Sequence, residues 1–186
     1  MENKVFVLTG NTGTGKTTVA NYLLSQHNVP KVITHTTRPP RYNEQDGIDY
    51  YFEDATSFAK NRLLESVEYS GAQYGSSWEG LERGWQHSPL ISIVIDTAGA
   101  ITYARELGEQ AVIIYLTVTD ATEIVERLIE RGDNADAVKK RLDSTEFKRD
   151  LAVPVELGDQ AYVIINDDWS TTKNQIDQIY NDIYAI

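Results

Sequence analysis

Short unbroken apolar runs recur along the chain, at VFVL (5–8), VI (32–33), LISIVI (90–95), AVIIYL (111–116) and YVII (162–165). Runs this short and this rich in β-branched residues predict strands covered on both faces, because a strand with one wet face alternates apolar with polar. Between them the period lengthens. Helices are predicted at 16–27, 98–107, 120–131 and 170–184. The last carries Ile176, Ile179, Tyr180 and Ile183 at three- and four-residue spacing, one apolar face to lay on a sheet. Strand–helix alternation of this kind predicts a parallel α/β sheet flanked by helices, with right-handed crossovers. Residues 35–85 break the rhythm: short β-like pieces (IDYYF, LLESVEY), glycines and many tyrosines predict a small inserted α+β subdomain. The chain contains no repeats, low-complexity tracts or linkers.

Composition narrows the partners. A chain of 186 residues with 41% hydrophobic side chains suits one domain with a proper core. A net charge of −11 argues against a nucleic-acid polymer or an anionic membrane as partner, since both call for a basic face. Any anion must therefore be gripped by a local cluster of basic groups. With no cysteine, disulfides, thiolate zinc sites and thiol nucleophiles are excluded. The first ten residues, MENKVFVLTG, hold only a four-residue apolar run, so the expectation is a soluble cytoplasmic protein.

Two stretches look made for phosphate. GNTGTGKTT (10–18) fits G-x-x-x-x-G-K-[ST] through Gly10, Gly15, Lys16 and Thr17, and it follows the first predicted strand and opens the first predicted helix. Glycines let successive N–H groups (Gly10, Asn11, Thr12, Gly13, Thr14, Gly15) curl around phosphate oxygens, and the helix N-terminus adds partial positive charge. Lys16 reaches the β- and γ-phosphates, the Thr17 hydroxyl suits Mg²⁺, and Thr18 completes the motif, which makes this a site for a nucleoside triphosphate. The competing reading is a glycine-rich turn beside a solvated lysine.

The second stretch is ITHTTRPPR (33–41), where two prolines stiffen an extended loop that presents Arg38 and Arg41. Taken alone these arginines read equally as a solvated surface loop. DYYF (49–52) and QYG (73–75) bring tyrosine hydroxyls, and LLESVEY brings Glu65 and Glu68. A carboxylate in a cleft otherwise suited to phosphate has another task, such as reading the N–H edge of a base.

With THTTRPPRYNEQDGIDYYF, LLESVEYSGAQYGSS, IDTAGA, VERLIERGD, KKRL and VIIND following the glycine loop in order, the chain resembles the guanylate kinases over nearly its whole length. The resemblance implies a P-loop kinase core at 1–34, 86–126 and 154–186, a monophosphate-binding subdomain at 35–85 and a helical lid at 127–153. It implies Mg²⁺-dependent transfer of the γ-phosphate of ATP to GMP, and to dGMP, in purine nucleotide metabolism. Arg38, Arg41, Tyr50 and Tyr74 would hold the acceptor phosphate, Thr34 and Ser76 would offer hydroxyls to guanine, and Glu65 would accept from its N1 and 2-amino groups. Arg127, Arg131 and Arg141 match the lid arginines, and Asn166 stands where the family contacts adenine. The oligomeric state, monomer or homodimer, stays open.

The chain also departs from the family. Where the family strand reads D-x-D ahead of x-Q-G, this chain has Val94 for the first acid, Asp96 for the second and Ala98 for the glutamine. Asp96 either faces the substrate site, where it could order Mg²⁺ through water, or only caps the next helix. Ser66 replaces a common tryptophan, and the lid is one residue shorter between Arg131 and Arg141. Two alternatives stand beside the kinase: the same fold with another phosphorylated acceptor, and a catalytically silent binding module.

Overall fold

The computed structural model describes residues 2–69, 71–130, 132 and 134–185. Its centre is a four-stranded, all-parallel sheet in the order β6 (Leu90–Val94), β1 (Lys4–Gly10), β7 (Ala111–Thr117), β8 (Ala161–Ile165). The continuous apolar runs are explained by what covers each face. Odd positions of β1 and β7 (Val5, Val7, Ile113, Tyr115) join one core cluster with Ala100 and Tyr103 of α4 (Thr97–Leu107). Even positions (Phe6, Leu8, Ile114, Leu116) join a second cluster. There they meet Val19 and Leu23 of α1 (Lys16–His27) and Ile176, Ile179 and Ile183 of α8 (Trp169–Tyr184). A strand with two dry faces has no polar position to alternate.

The predicted strand at 32–33 does not join this sheet as a strand. Ser92 donates its N–H to the carbonyl of Pro30 and Val32 donates to that of Ser92, both at 2.8 Å, and the pairing stops there. Proline has no N–H to extend such a ladder, and the chain crosses instead into a second sheet. That sheet is mixed, in the order β3 (Tyr50–Phe52), β2 (Thr34–Thr36), β5 (Ala72–Ser77), β4 (Leu63–Tyr69). Between β3 and β4 lies a one-turn helix, α2 (Ala55–Phe58), capped by Asp54. Buried His35 of β2 ties this sheet together, meeting Glu53 through Nδ1 and the Ser77 hydroxyl through Nε2 at 2.9 Å.

Helix α3 (Trp78–His87) was not foreseen, and the expected boundary at 85/86 falls inside it. Ser77 caps it by accepting from the Gly80 N–H at 3.1 Å, so the helix grows directly out of β5 and carries the chain back to β6. The chain then passes through α5 (Ala121–Glu130), α6 (Ala135–Leu142) and α7 (Thr145–Arg149), held by a small cluster of Ile124, Leu128, Val138 and Phe147. Arg131, one of the expected lid arginines, lies outside the described residues. Among the described residues no helix is long and apolar enough to cross a membrane.

Candidate active site

At the C-terminal end of β1 the backbone enters a loop that only glycine can build. Gly10 has φ 118°, and a Cβ there would stand 2.1 Å from the carbonyl oxygen of Leu116 on β7. Gly15, with φ 96°, would place a Cβ 2.3 Å from Nδ2 of Asn166. Both are positive-φ positions with no room for a side chain. Lys16, first residue of α1, folds back and donates from Nζ to the carbonyls of Gly10 (2.9 Å) and Asn11 (2.7 Å). The lysine charge is thereby parked at the mouth of the loop. Thr17 and Thr18 follow it, exposed.

The loop is braced from behind. Asn166, buried at the end of β8, donates from Nδ2 to the carbonyl of Thr14 (2.8 Å) and accepts from the Thr172 hydroxyl (2.8 Å). The side chain therefore shapes the glycine loop, while Asn166 also lines the larger of the site's two cavities. From the other side Asn11 donates to the carbonyl of Phe147 on α7 (2.9 Å), and Arg141 of α6 donates to the Thr12 hydroxyl (3.0 Å). Helices α6 and α7 thus rest on the loop. Tyr115 fastens their far end, donating to the carbonyls of Asp150 (2.9 Å) and Ala152 (3.0 Å).

Facing this loop is the proline-stiffened segment. Arg38 is held rather than loose: Nη2 donates to both carboxylate oxygens of Glu44 at 2.8 Å, and Nη1 to the carbonyl of Pro39 at 2.7 Å. Its guanidinium lies 5.6 Å from the centre of the Tyr50 ring and 5.8 Å from that of Phe52. Burial alone would lower its proton affinity, but Glu44 outweighs that and raises it. Glu44 also accepts from the backbone N–H of Arg41 (2.7 Å), whose guanidinium lies 3.5 Å away and is largely exposed. Burial pushes the Tyr50 hydroxyl up, with Tyr74 nearby adding to it, so this phenol stays a protonated donor.

Glu65, Ser76 and Asp96 sit deeper. Glu65, on β4 beside a bulge, accepts a hydrogen bond from Ser76 of β5 at 2.9 Å. Burial pushes its carboxyl up to about 7 against the pull of the Ser76 bond, and the charge of Asp96 adds to the rise. Asp96 does cap a helix: its Oδ1 accepts from the Gly99 N–H of α4 at 2.8 Å. It lines the same cavity as Glu65 as well. Ser76 is fully buried and its hydroxyl donates to Glu65.

Two cavities meet here. One, of about 370 Å³, lies between the core, the second sheet and the lid, and gathers Lys16, Thr34, Tyr50, Glu65, Tyr74 and Asp96 with Arg141 opposite them. The other, of about 740 Å³, takes in Thr17, Thr18, Arg41, Arg127 and the edge of Asn166. Thr12, Lys16, Thr34, Tyr50 and Val94 line both. Arg127 is anchored by Glu123 (2.9 Å) and the carbonyl of Asn166 (2.7 Å). Arg38 and Ser76 line neither cavity and stand behind the walls.

Sequence reading missed four residues. Glu44 fixes both loop arginines, and its place three residues after Arg41 was the available signal. Arg149 and Asp150 form an ion pair at 2.6 Å on the lid wall of the smaller cavity, adjacent in sequence but without a motif. Tyr103 donates to Ser76 at 2.9 Å from the centre of α4, and only the folded chain reveals that contact.

The comparisons with known proteins agree among themselves. The family model described as guanylate kinase matches residues 2–183. A guanylate kinase of Thermus thermophilus is 36% identical over 172 residues, which covers 90% of this chain and 76% of that protein. One from Bacteroides fragilis is 32% identical over 179 residues, 92% of this chain and 85% of the relative. Among solved structures, the guanylate kinase of Anaplasma phagocytophilum superposes with a TM-score of 0.68 at 28% identity, over 99% of this chain and 86% of that one.

Proposed function

The chain belongs to the guanylate kinase family and is an ATP-dependent enzyme that phosphorylates GMP, and on that premise we propose how its residues divide the work. The observation that carries the assignment is the pair of cavities sharing Lys16. A glycine loop opens into one and a buried carboxylate into the other, so donor and acceptor approach across a single lysine. An oxygen of the GMP phosphate attacks the γ-phosphorus of ATP, the bond to the β-phosphate oxygen breaks, and ADP and GDP leave.

Such a transfer asks the protein for placement and charge rather than covalent chemistry. The loop N–H groups from Asn11 to Thr18 receive the ATP phosphates, and Lys16 leaves the Gly10 and Asn11 carbonyls to neutralise the transferring group. Arg127 serves from the ATP side and Arg141 from the GMP side, a division supported by the cavity each one lines. Arg131 is assigned with them on the resemblance alone. Mg²⁺ belongs with the donor: the exposed Thr17 hydroxyl, phosphate oxygens and water form the hard-oxygen set it takes. When bound, the ion spreads the negative charge of the phosphates.

On the acceptor side Tyr50 and Tyr74 hold the GMP phosphate, Arg41 reaches it from the wall of the larger cavity where the two meet, and Arg38 stands behind them clamped by Glu44. Thr34 and Glu65 read the base, Glu65 accepting from guanine N1 and the 2-amino group while Asp96 lies beside it. Adenine offers no matching donor pair there and would leave the carboxylate unpaired, at a cost of about 1–3 kcal/mol. The residues assigned here read phosphate and base, none the sugar, which supports dGMP as a second acceptor. Two small nucleotides as substrates support a role in purine nucleotide metabolism, and a cytoplasmic enzyme is the reading that goes with it.

The test is ADP release from ATP and Mg²⁺ with GMP, dGMP, AMP, UMP, CMP or no acceptor. GMP and dGMP are expected to stand well above the rest. Equal rates with AMP and GMP would overturn the assignment of Glu65 to the base.

A further inference from the structure

Behind Glu65 runs a chain of buried hydroxyls. Tyr103 OH donates to the Ser76 oxygen at 2.9 Å, and the Ser76 OH donates to Oε1 of Glu65 at 2.9 Å. Tyr103 and Ser76 are both fully buried. Burial raises the proton affinity of the phenol, so Tyr103 keeps its proton and acts as a donor. Reversing the order would bury the phenol proton without its acceptor and strip Glu65 of the Ser76 bond, each a loss of the kind that buried polar groups avoid. The order of donation is therefore fixed from α4, through β5, to β4.

The other carboxylate oxygen lies close against the first turn of α4: a Cβ on Gly99 would come within 3.1 Å of Oε2 of Glu65, so a larger residue there would push on the carboxylate. On the wall nearby, Val94 and Ala98 stand where the family has an acid and an amide, and neither makes a side-chain hydrogen bond. The orientation of Glu65 consequently counts for more in this chain.

We propose that Tyr103 is a positioning residue for acceptor specificity, acting through Ser76 to aim the Glu65 carboxylate at the donor edge of guanine. This rests on the assignment of Glu65 to the base, and the experiment separates the two. ADP release is measured for Tyr103→Phe, Ser76→Ala, the double variant and Glu65→Gln, varying GMP and then ATP across a pH series spanning neutrality. Tyr103→Phe raises KM for GMP roughly five-fold, the weight of one hydrogen bond, and leaves KM for ATP and kcat at saturating GMP unchanged. Because the Ser76 bond holds the Glu65 proton affinity down, weakening the relay moves the acid limb of kcat/KM for GMP to higher pH. Ser76→Ala does the same more strongly, and the double variant is no worse than Ser76→Ala.

Asp96, Glu68, Lys16, Arg141, Arg149 and Asp150 face the same cavity and are common to every variant. A limb that moves only when the relay is broken therefore belongs to Glu65. Wild-type KM and an unmoved limb in Tyr103→Phe, with Glu65→Gln impaired, overturn the relay alone. A Glu65→Gln enzyme with unchanged KM for GMP overturns the base assignment and the relay with it. Additive defects in the double variant reduce Tyr103 to a packing residue and also overturn the proposal. Should Tyr103→Phe not fold, Ser76→Ala answers through the pH limb, and an unmoved limb there is equally fatal.

Discussion

The two ends of the cleft are built on opposite plans. At the donor end the backbone is the instrument: Gly10 and Gly15 adopt conformations closed to other residues, and the side chains around them, Lys16 and Asn166, bond to loop carbonyls. At the acceptor end side chains are the instrument, drawn from β2, β3, β4, β5 and α4 and held by one another. A backbone site is specified by a short contiguous run. A side-chain site is specified by pairings that lie far apart in sequence.

The sharpest way to test that contrast is Lys16→Ala, which should reduce kcat on the order of 10²–10³-fold with KM for GMP little changed, the pattern of a lost transition-state charge. A rise in KM for GMP with kcat intact would merge the two ends and break the distinction. Next, Arg38→Ala should raise KM for GMP on the order of ten- to a hundred-fold, as for a hydrogen-bonded charge, while ATP binding measured by titration calorimetry stays the same.

Asn166→Ala probes the donor brace. It leaves the Thr14 carbonyl and the Thr172 hydroxyl without their partner and should cost about 1–3 kcal/mol in denaturant unfolding, with a weaker ATP KM and an unaltered GMP KM. The smallest effect is expected from pH alone. Glu65 holds its proton up to about 7, and guanine requires the deprotonated carboxylate, so KM for GMP should rise as pH falls below neutrality. KM for ATP should stay flat over the same range, since the loop binds phosphate with N–H groups that do not titrate.

The same contrast governs how much could be read from the chain. The parallel sheet, its covering helices and the glycine loop were legible because each is written in adjacent residues: apolar runs, a helical period, a fixed glycine spacing. The run at 32–33 misled because its apolar character signals burial, and Val32 is buried, whereas strand pairing there is ended by Pro30. Helix α3 was hidden by two glycines, Gly80 and Gly84; at Gly84 a Cβ would come within 3.1 Å of Ile91, so the residue serves close packing of helix on sheet. Within the site, Glu65 stood out as a carboxylate in a segment with arginines and tyrosines, and the fold brings it into one cavity with Tyr50 and Tyr74. Tyr103 did not, since one tyrosine in an apolar helix reads as core until its hydroxyl is seen to meet Ser76.

Glu44 gives the acceptor end the character of an ion exchanger. Before any nucleotide arrives, Arg38 already has a carboxylate counter-ion, bound covalently to the chain six residues away. The resting pocket therefore gathers a thinner atmosphere of stray anions than a bare arginine pair would, in a protein whose overall charge of −11 already repels them. A fixed counter-ion loses no translational freedom when the site empties, and it keeps the guanidinium aimed between one turnover and the next.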